Sequence, residues 1–324
     1  MPCVGRQRGG VQPARDLLDS FLDDRGQGYG ANMSSPITAE RGCSRLSPHI
    51  AHGSLSLRQI AQITLQAKEA APRAHWHRQL NSYVTRLWWH CYALQVLENQ
   101  PEMERQALVP EMEQLRRPMD ITRFDAWRLG RTGWPMVDAC MRFLHHHGWL
   151  NFRMRAMLVT TATHTLSLPW RPVADWLAQM FVDFEPGIHY TQIQMHSSMA
   201  ASPVLRMYNP VTQARELDPQ GQFVRRWVPE LAAVPSEWVV MPWVMPRTLR
   251  HQFGLTGAND YPAPLVDFEL VHRSVKAEIA ELRSSLGLQA APGFNERPGQ
   301  ATRGRRKTAP KQVDAKQSTQ MSLF

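Results

Sequence analysis

The chain has 324 residues, enough for one large domain or two modest ones, and its 43% apolar content supplies a globular core. A formal net charge of +9 favours polyanionic partners such as nucleic acid or an anionic membrane surface. No apolar run is long enough to span a bilayer, and Met1 to Gly10 lacks the hydrophobic core of a signal peptide. The four cysteines (Cys3, Cys43, Cys91, Cys140) are scattered without a CxxC pair, which gives no disulfide, zinc or iron–sulfur framework and reads as reduced thiols in the cytoplasm.

In chain order, residues 1–28 are rich in Gly, Arg and Asp and form a partly disordered N-terminal segment. Leu17, Leu18, Phe21 and Leu22 mark one or two helical turns within it. A helical period begins at Ser47 and continues through Leu57 to Ala70 and Leu80 to Leu97. Pro135 to His147 is a helix with Pro in its first turn and Gly148 as its stop. Phe152 to Leu166 and Arg171 to Phe184 are helices separated by Pro169, and Phe223 to Leu231 and Leu265 to Leu286 complete the set. Long loops are expected around 186–220 and 235–262. Strand-like alternation is nearly absent, so the fold class is all-α. From residue 289 to 324 the composition turns to Pro, Gly, Arg, Lys, Gln and Ser, the signature of a disordered basic tail.

Three segments carry chemistry. Gly42-Cys43-Ser44-Arg45-Leu46-Ser47-Pro48 puts small hydroxyls and a guanidinium at a helix entrance, where they could cradle a phosphate. The same residues could equally be a plain helix cap. The second segment runs from Gly130-Arg131-Thr132-Gly133-Trp134-Pro135 through Asp138 and Arg142 to Gly148-Trp149-Leu150-Asn151-Phe152-Arg153-Met154-Arg155. The third is Phe181-Val182-Asp183-Phe184-Glu185-Pro186-Gly187-Ile188-His189, followed by Tyr208-Asn209-Pro210.

Together these segments resemble the FAD-binding domain of the photolyase/cryptochrome family, in order and at compatible spacing over residues 29–288. The form here is similar to a divergent bacterial photolyase-related branch. The resemblance implies a multi-helix domain with long loops, FAD as cofactor, and UV-damaged DNA as substrate and partner in a light-dependent lyase reaction. The alternative it leaves is a cryptochrome-like flavoprotein without repair activity. It places Tyr29, Cys43, Ser44, Arg45, Leu46, Ser47, Phe152, Arg155, Asp183, Glu185 and His189 around the flavin. Arg155, Asp183 and His189 are then the catalytic set. Arg155 would favour negative charge on reduced flavin, Asp183 would hold the guanidinium, and His189 would donate to or protonate flavin N5.

Departures from the pattern matter as much. Where the family stacks a Trp and a Glu on the lesion, this chain has Tyr83 and Arg86, and a pocket Trp is replaced by Met195. The first Trp of the family's electron relay aligns with Ile193, whereas the middle one is matched by Trp170. Trp88, Trp89, Trp149, Trp176 and Tyr190 are possible substitutes. The family's N-terminal α/β antenna domain has no counterpart, so no antenna chromophore is expected, and the face it would cover should be exposed and apolar. His145, His146 and His147 diverge by about 100° each along a helix and cannot share a metal, which leaves a solvated helix end near the negative pole. The terminal Gln320-Met321-Ser322-Leu323-Phe324 resembles the bacterial sliding-clamp pentapeptide, an apolar anchor on a leash.

Overall fold

The structure is a computed structural model and describes residues 3–287 apart from 72, 116, 201–204 and 256–259. The basic tail and its terminal pentapeptide lie outside the described residues. Among these residues there is no strand, and ten helices of eight or more residues form the body. They are α1 (Val11–Asp23), α2 (Leu57–Glu69), α3 (Ala74–Asn99), α4 (Ile121–Arg128), α5 (Pro135–His147), α6 (Phe152–Thr160), α7 (Trp170–Met180), α8 (Pro186–His196), α9 (Pro210–Leu217) and α10 (Phe268–Ser285). Among the described residues no helix is long and apolar enough to cross a membrane.

Helix boundaries follow local chemistry. Ser56 caps α2 through a reciprocal box with Gln59, and Asp120 and Asp267 cap α4 and α10. Gly148 ends α5 in the left-handed region at φ 63°. The run expected as one helix over 152–166 is α6 followed by a π turn at Thr161–Thr165.

Two expectations are corrected. The stretch from 186 is not a loop: it is α8 and then α9. Helix α8 has no apolar stripe to betray it, because His189, Thr191, Gln194 and His196 are buried alongside Tyr190 and Ile193. Its Gly187 is required where α8 crosses α3, since a β-carbon there would lie 2.8 Å from the Ala93 carbonyl oxygen. Secondly, the segment before residue 29 contains α1, a three-turn helix that buries Ala14, Leu18, Phe21 and Leu22. These pack with Tyr29, Leu46, Ile60, Leu80 and Tyr83 in one cluster, so the boundary placed at residue 28 falls inside a continuous core.

A larger core holds α4 to α10, and the smaller one holds α1, α2 and the outer half of α3. The larger core is locked by buried Asp138, which accepts hydrogen bonds from Thr132 N–H (2.8 Å), Thr132 Oγ1 (2.6 Å) and Gly133 N–H (3.1 Å), and also from the Tyr261 hydroxyl. Gly133, at φ 85°, has the Ala263 carbonyl 2.3 Å from where a β-carbon would sit. The Thr-Gly-Trp-Pro run is thus a device for joining α5 to the C-terminal part of the chain. The three consecutive histidines are not a solvated helix end. Residues 3–5 cross them, with Gly5 N–H donating to the His146 carbonyl at 2.8 Å and His147 Nδ1 2.9 Å from the Gly5 carbonyl. His145 Nε2 turns the other way, to the Arg128 carbonyl at 2.7 Å.

Candidate cofactor-binding site

A cavity of about 580 Å3 lies at the seam between the two cores. Tyr29, Tyr83 and Leu87 of the smaller core form one side, and Trp149, Leu150, Phe181 and Ile193 of the larger core form the other. This volume suits a ligand far larger than water. Its walls carry buried polar atoms without a protein partner: Tyr83 hydroxyl, Asn151 Oδ1, Asp183 Oδ1, Gln192 Oε1 and His196 Nε2. Buried polar groups are normally paired, so donors and acceptors left open around one cavity mark a polar ligand as the missing partner.

The charged centre is Arg155 with Asp183. The α7 helix ends as Phe181 becomes extended, and Val182 N–H bonds to the Gly148 carbonyl at 2.8 Å, which carries the acidic loop across to α6. There Arg155 Nη2 donates to Asp183 Oδ2 at 2.7 Å. The guanidinium is fixed further by the Leu150 carbonyl (2.6 Å) and by the Phe181 ring, whose centroid is 4.0 Å away. Asp183 is buried, with 4% of its side chain exposed, and its second oxygen remains open to the cavity.

Of the other residues singled out from the sequence, Cys43, Ser44, Ser47, Phe152 and Glu185 line the cavity, as do Tyr83, Arg86 and Met195. Burial pushes the Tyr83 hydroxyl up to about 12 and the Cys43 thiol up to about 11, so neither ionises near neutral pH. Glu185 bonds to His90 Nε2 at 3.0 Å.

Three residues behave differently from expectation. Arg45 turns away at φ 62°: its guanidinium stacks 3.9 Å from the Trp149 ring centroid and reaches Gln7 Oε1 at 3.1 Å. It therefore buttresses a cavity wall from behind. Leu46 is buried in the smaller core and does not border the cavity. Burial pushes His189 down to about 4, and its Nε2 is 2.9 Å from the Ala174 carbonyl, which can only accept. Nε2 thus carries the proton, and Nδ1 of the neutral ring can accept a hydrogen bond but not donate one. Trp170, the match to the family's middle relay residue, does not border this cavity, and its Nε1 donates to Glu113 at 3.3 Å.

Sequence reading missed the residues that hold the phosphate-type loop in place. Arg25 donates to the carbonyls of Leu17 (2.8 Å), Arg41 (2.7 Å) and Cys43 (2.6 Å). Asn151 donates to the carbonyls of Met33 (3.2 Å) and Ser34 (2.9 Å). Gln192, His196 and His90 were also missed, because they belong to helices whose polar residues face inward. The mixed polar and apolar run over 188–196 leaves no helical stripe that would have pointed to Gln192 or His196.

The all-helical fold encloses a largely apolar cavity with unpartnered polar atoms in its wall, the kind of site a flavin-binding domain offers. Residues 83–281 match the family described as the FAD binding domain of DNA photolyase, and the chain belongs to that photolyase/cryptochrome family. It is 30% identical over 260 residues to the deoxyribodipyrimidine photo-lyase of Alkalihalophilus pseudofirmus, which covers 80% of this chain and 53% of that protein. It is 29% identical over 294 residues to cryptochrome-2 of Arabidopsis thaliana, covering 87% of this chain and 47% of that one. Among solved structures, the class III photolyase of Agrobacterium tumefaciens superposes with a TM-score of 0.77 at 26% identity, over 85% of this chain and 56% of that one. The chain therefore spans about half the length of the curated relatives it matches. FAD is the cofactor of the domain, and the open polar atoms of the cavity fit it.

Proposed function

We propose that the chain carries out light-dependent repair of UV-damaged DNA, as its photo-lyase relatives are named for doing. The observation that supports this best is the cavity itself, with a fixed Arg155–Asp183 pair in its wall and Arg86, Arg206 and the exposed Phe152 among its lining. Bound FAD in its reduced form would supply the photoexcited electron donor. Arg155 holds positive charge where an anionic ring is favoured, and Asp183 keeps that guanidinium oriented. His189 Nδ1 offers an acceptor, and its neutral ring adds no further charge beside Arg155. Ser44 and Ser47 supply hydroxyl contacts for phosphate oxygens. Tyr83 and Met195 offer a flat and a soft apolar surface for a base flipped out of its stack, and Arg86 meets its phosphates.

The test is illumination of the FAD-loaded, reduced protein with single- and double-stranded UV-damaged oligonucleotides. Loss of cyclobutane dimers or 6-4 products is expected, and their persistence under both conditions would refute repair. A signalling flavoprotein of cryptochrome type is the second reading. It is favoured by Arg86, a cation where a pyrimidine would need an acceptor, and by Ile193 in the cavity wall where the family has the first Trp of its relay. The terminal pentapeptide adds a bacterial sliding clamp as a partner, and deletion of residues 320–324 is expected to abolish binding to a purified clamp.

A further inference from the structure

A second cavity, of about 590 Å3, lies away from the flavin site, and no residue borders both. It is enclosed by the turns over residues 105–117, the junction between α6 and α7, the end of α8 and one face of α10. Three backbone irregularities converge on it. One is the π turn, closed by Leu166 N–H to the Thr161 carbonyl at 2.8 Å. The others are Ser167 at φ 55° and Ser198 at φ 68°, two of the three non-glycine residues with positive φ among the described residues. Such conformations cost energy and collect at functional sites. Two of them, the π turn and Ser198, are joined by His164, which is 3% exposed, through Thr163 Oγ1 at 2.9 Å and Ser198 Oγ at 3.0 Å.

The walls are chemically divided. Leu115, Leu168, Met199 and Ile279 are buried and apolar, and Trp170 presents an aromatic surface beside them. Three guanidiniums also line the cavity. Arg117 is committed to Glu278 by two bonds of 2.7 and 2.6 Å. Arg171 lies 5.5 Å from the Trp170 ring centroid, and neither it nor Arg105 has a carboxylate within ion-pair distance among the described residues. Glu113 is occupied by the Ala107 N–H (3.1 Å) and the Trp170 indole N–H (3.3 Å). Three cations against Glu113 and Glu278 leave a net positive charge beside an apolar wall.

We propose that this cavity binds an anionic aromatic molecule of about mononucleotide size, its ring on the Trp170–Leu168 wall and its acid group met by Arg105 and Arg171. Guanidiniums without a carboxylate partner suit a carboxylate or phosphate, and the wall suits a planar ring. The inference does not depend on what the flavin site does.

The test uses the full chain with FAD at saturation, so that the flavin cavity is filled, and 8-anilinonaphthalene-1-sulfonate as the probe. One saturable equivalent is expected by calorimetry and probe fluorescence. In an Arg105→Gln/Arg171→Gln variant the affinity should fall at least tenfold, with FAD content and melting temperature unchanged, since both residues are exposed. The uncharged N-phenyl-1-naphthylamine should bind the parent and the variant equally weakly. Trp170→Phe should lower probe emission sensitised by tryptophan excitation, which locates the probe. Absence of saturable binding, equal affinity in the double variant, tight binding of the uncharged compound, or sensitised emission unchanged in Trp170→Phe would each overturn the proposal.

Discussion

Replacing Asp183 by Asn tests whether the Arg155–Asp183 pair organises the cavity. The substitution keeps the shape and an acceptor for the 2.7 Å bond from Arg155 but removes the counter-charge. A hydrogen bond to a charged group is worth about 1.5–3 kcal/mol and a neutral one about 0.5–1.5 kcal/mol; because the Arg155 donor stays charged, their difference of about 1–1.5 kcal/mol is the most the exchange costs. Complete loss of a partner for a buried charge costs about 3–5 kcal/mol. Arg155 falls below that range because a quarter of its side chain is exposed and the Leu150 carbonyl and Phe181 ring still hold it. With tenfold per about 1.4 kcal/mol, FAD affinity should drop by up to about 5- to 12-fold. Equilibrium dialysis against FAD at 25 °C measures this, and a thermal melt of the FAD-free protein measures the share that is stability alone. Asp183→Ala should be worse than Asp183→Asn on both counts. Wild-type FAD affinity in Asp183→Asn would refute the reasoning, because the open Oδ1 and the oriented guanidinium would then contribute nothing to the ligand. A lowered melting temperature with unchanged affinity would reduce the pair to a strut.

Burial holds His164, His189 and His196 at about 3, 4 and 4, below the ordinary value of 6.5, so each is neutral when folded. The unfolded chain gains those protons first, so the stability they contribute is complete above pH 6.5 and declines as pH falls toward 4. The slope is about 1.4 kcal/mol per pH unit per histidine; urea unfolding between pH 7 and 5 should show it, and a flat profile would contradict the burial argument. Asp138→Ala orphans the donors of Thr132, Gly133 and Tyr261 and should cost about 4 kcal/mol or more, while the FAD affinity of the folded fraction stays unchanged because Asp138 does not border the cavity. Trp89 lines the cavity and its ring centroid is 6.1 Å from that of the 42% exposed Tyr92. Blue-light reduction of bound FAD with an external thiol, followed by absorbance, should therefore slow more in Trp89→Phe than in Trp170→Phe. Arg86→Ala should weaken binding of a UV-damaged oligonucleotide and reduce the salt slope by about one.

Much of this protein is written in local signals. Pro135 and Gly148 delimit α5 because one has a fixed φ and no N–H to lose and the other tolerates the left-handed region. The pairing of Arg155 with Asp183 follows from motif resemblance, and the folded chain brings the two to 2.7 Å although 28 positions separate them. What could not be read locally is direction. Helix α8 was invisible because its buried side chains are polar, and polar residues become an inward face only when a cavity and another helix stand opposite. Arg45 and Trp170 are in the expected sequence positions, yet a positive φ turns one behind Trp149 and the packing of α7 points the other into a different cavity. Helix α1 looked like a ragged start until Phe21 met Tyr29 and Tyr83, with ring centroids 5.6 and 4.7 Å away. The sequence by itself determined most of the helices, the cofactor class and the identity of the charged pair, because these rest on short-range periodicity and contiguous motifs. The tertiary structure alone decided which side chains face the flavin cavity, which stand behind its walls and which line the second cavity, because facing depends on residues brought together from distant parts of the chain.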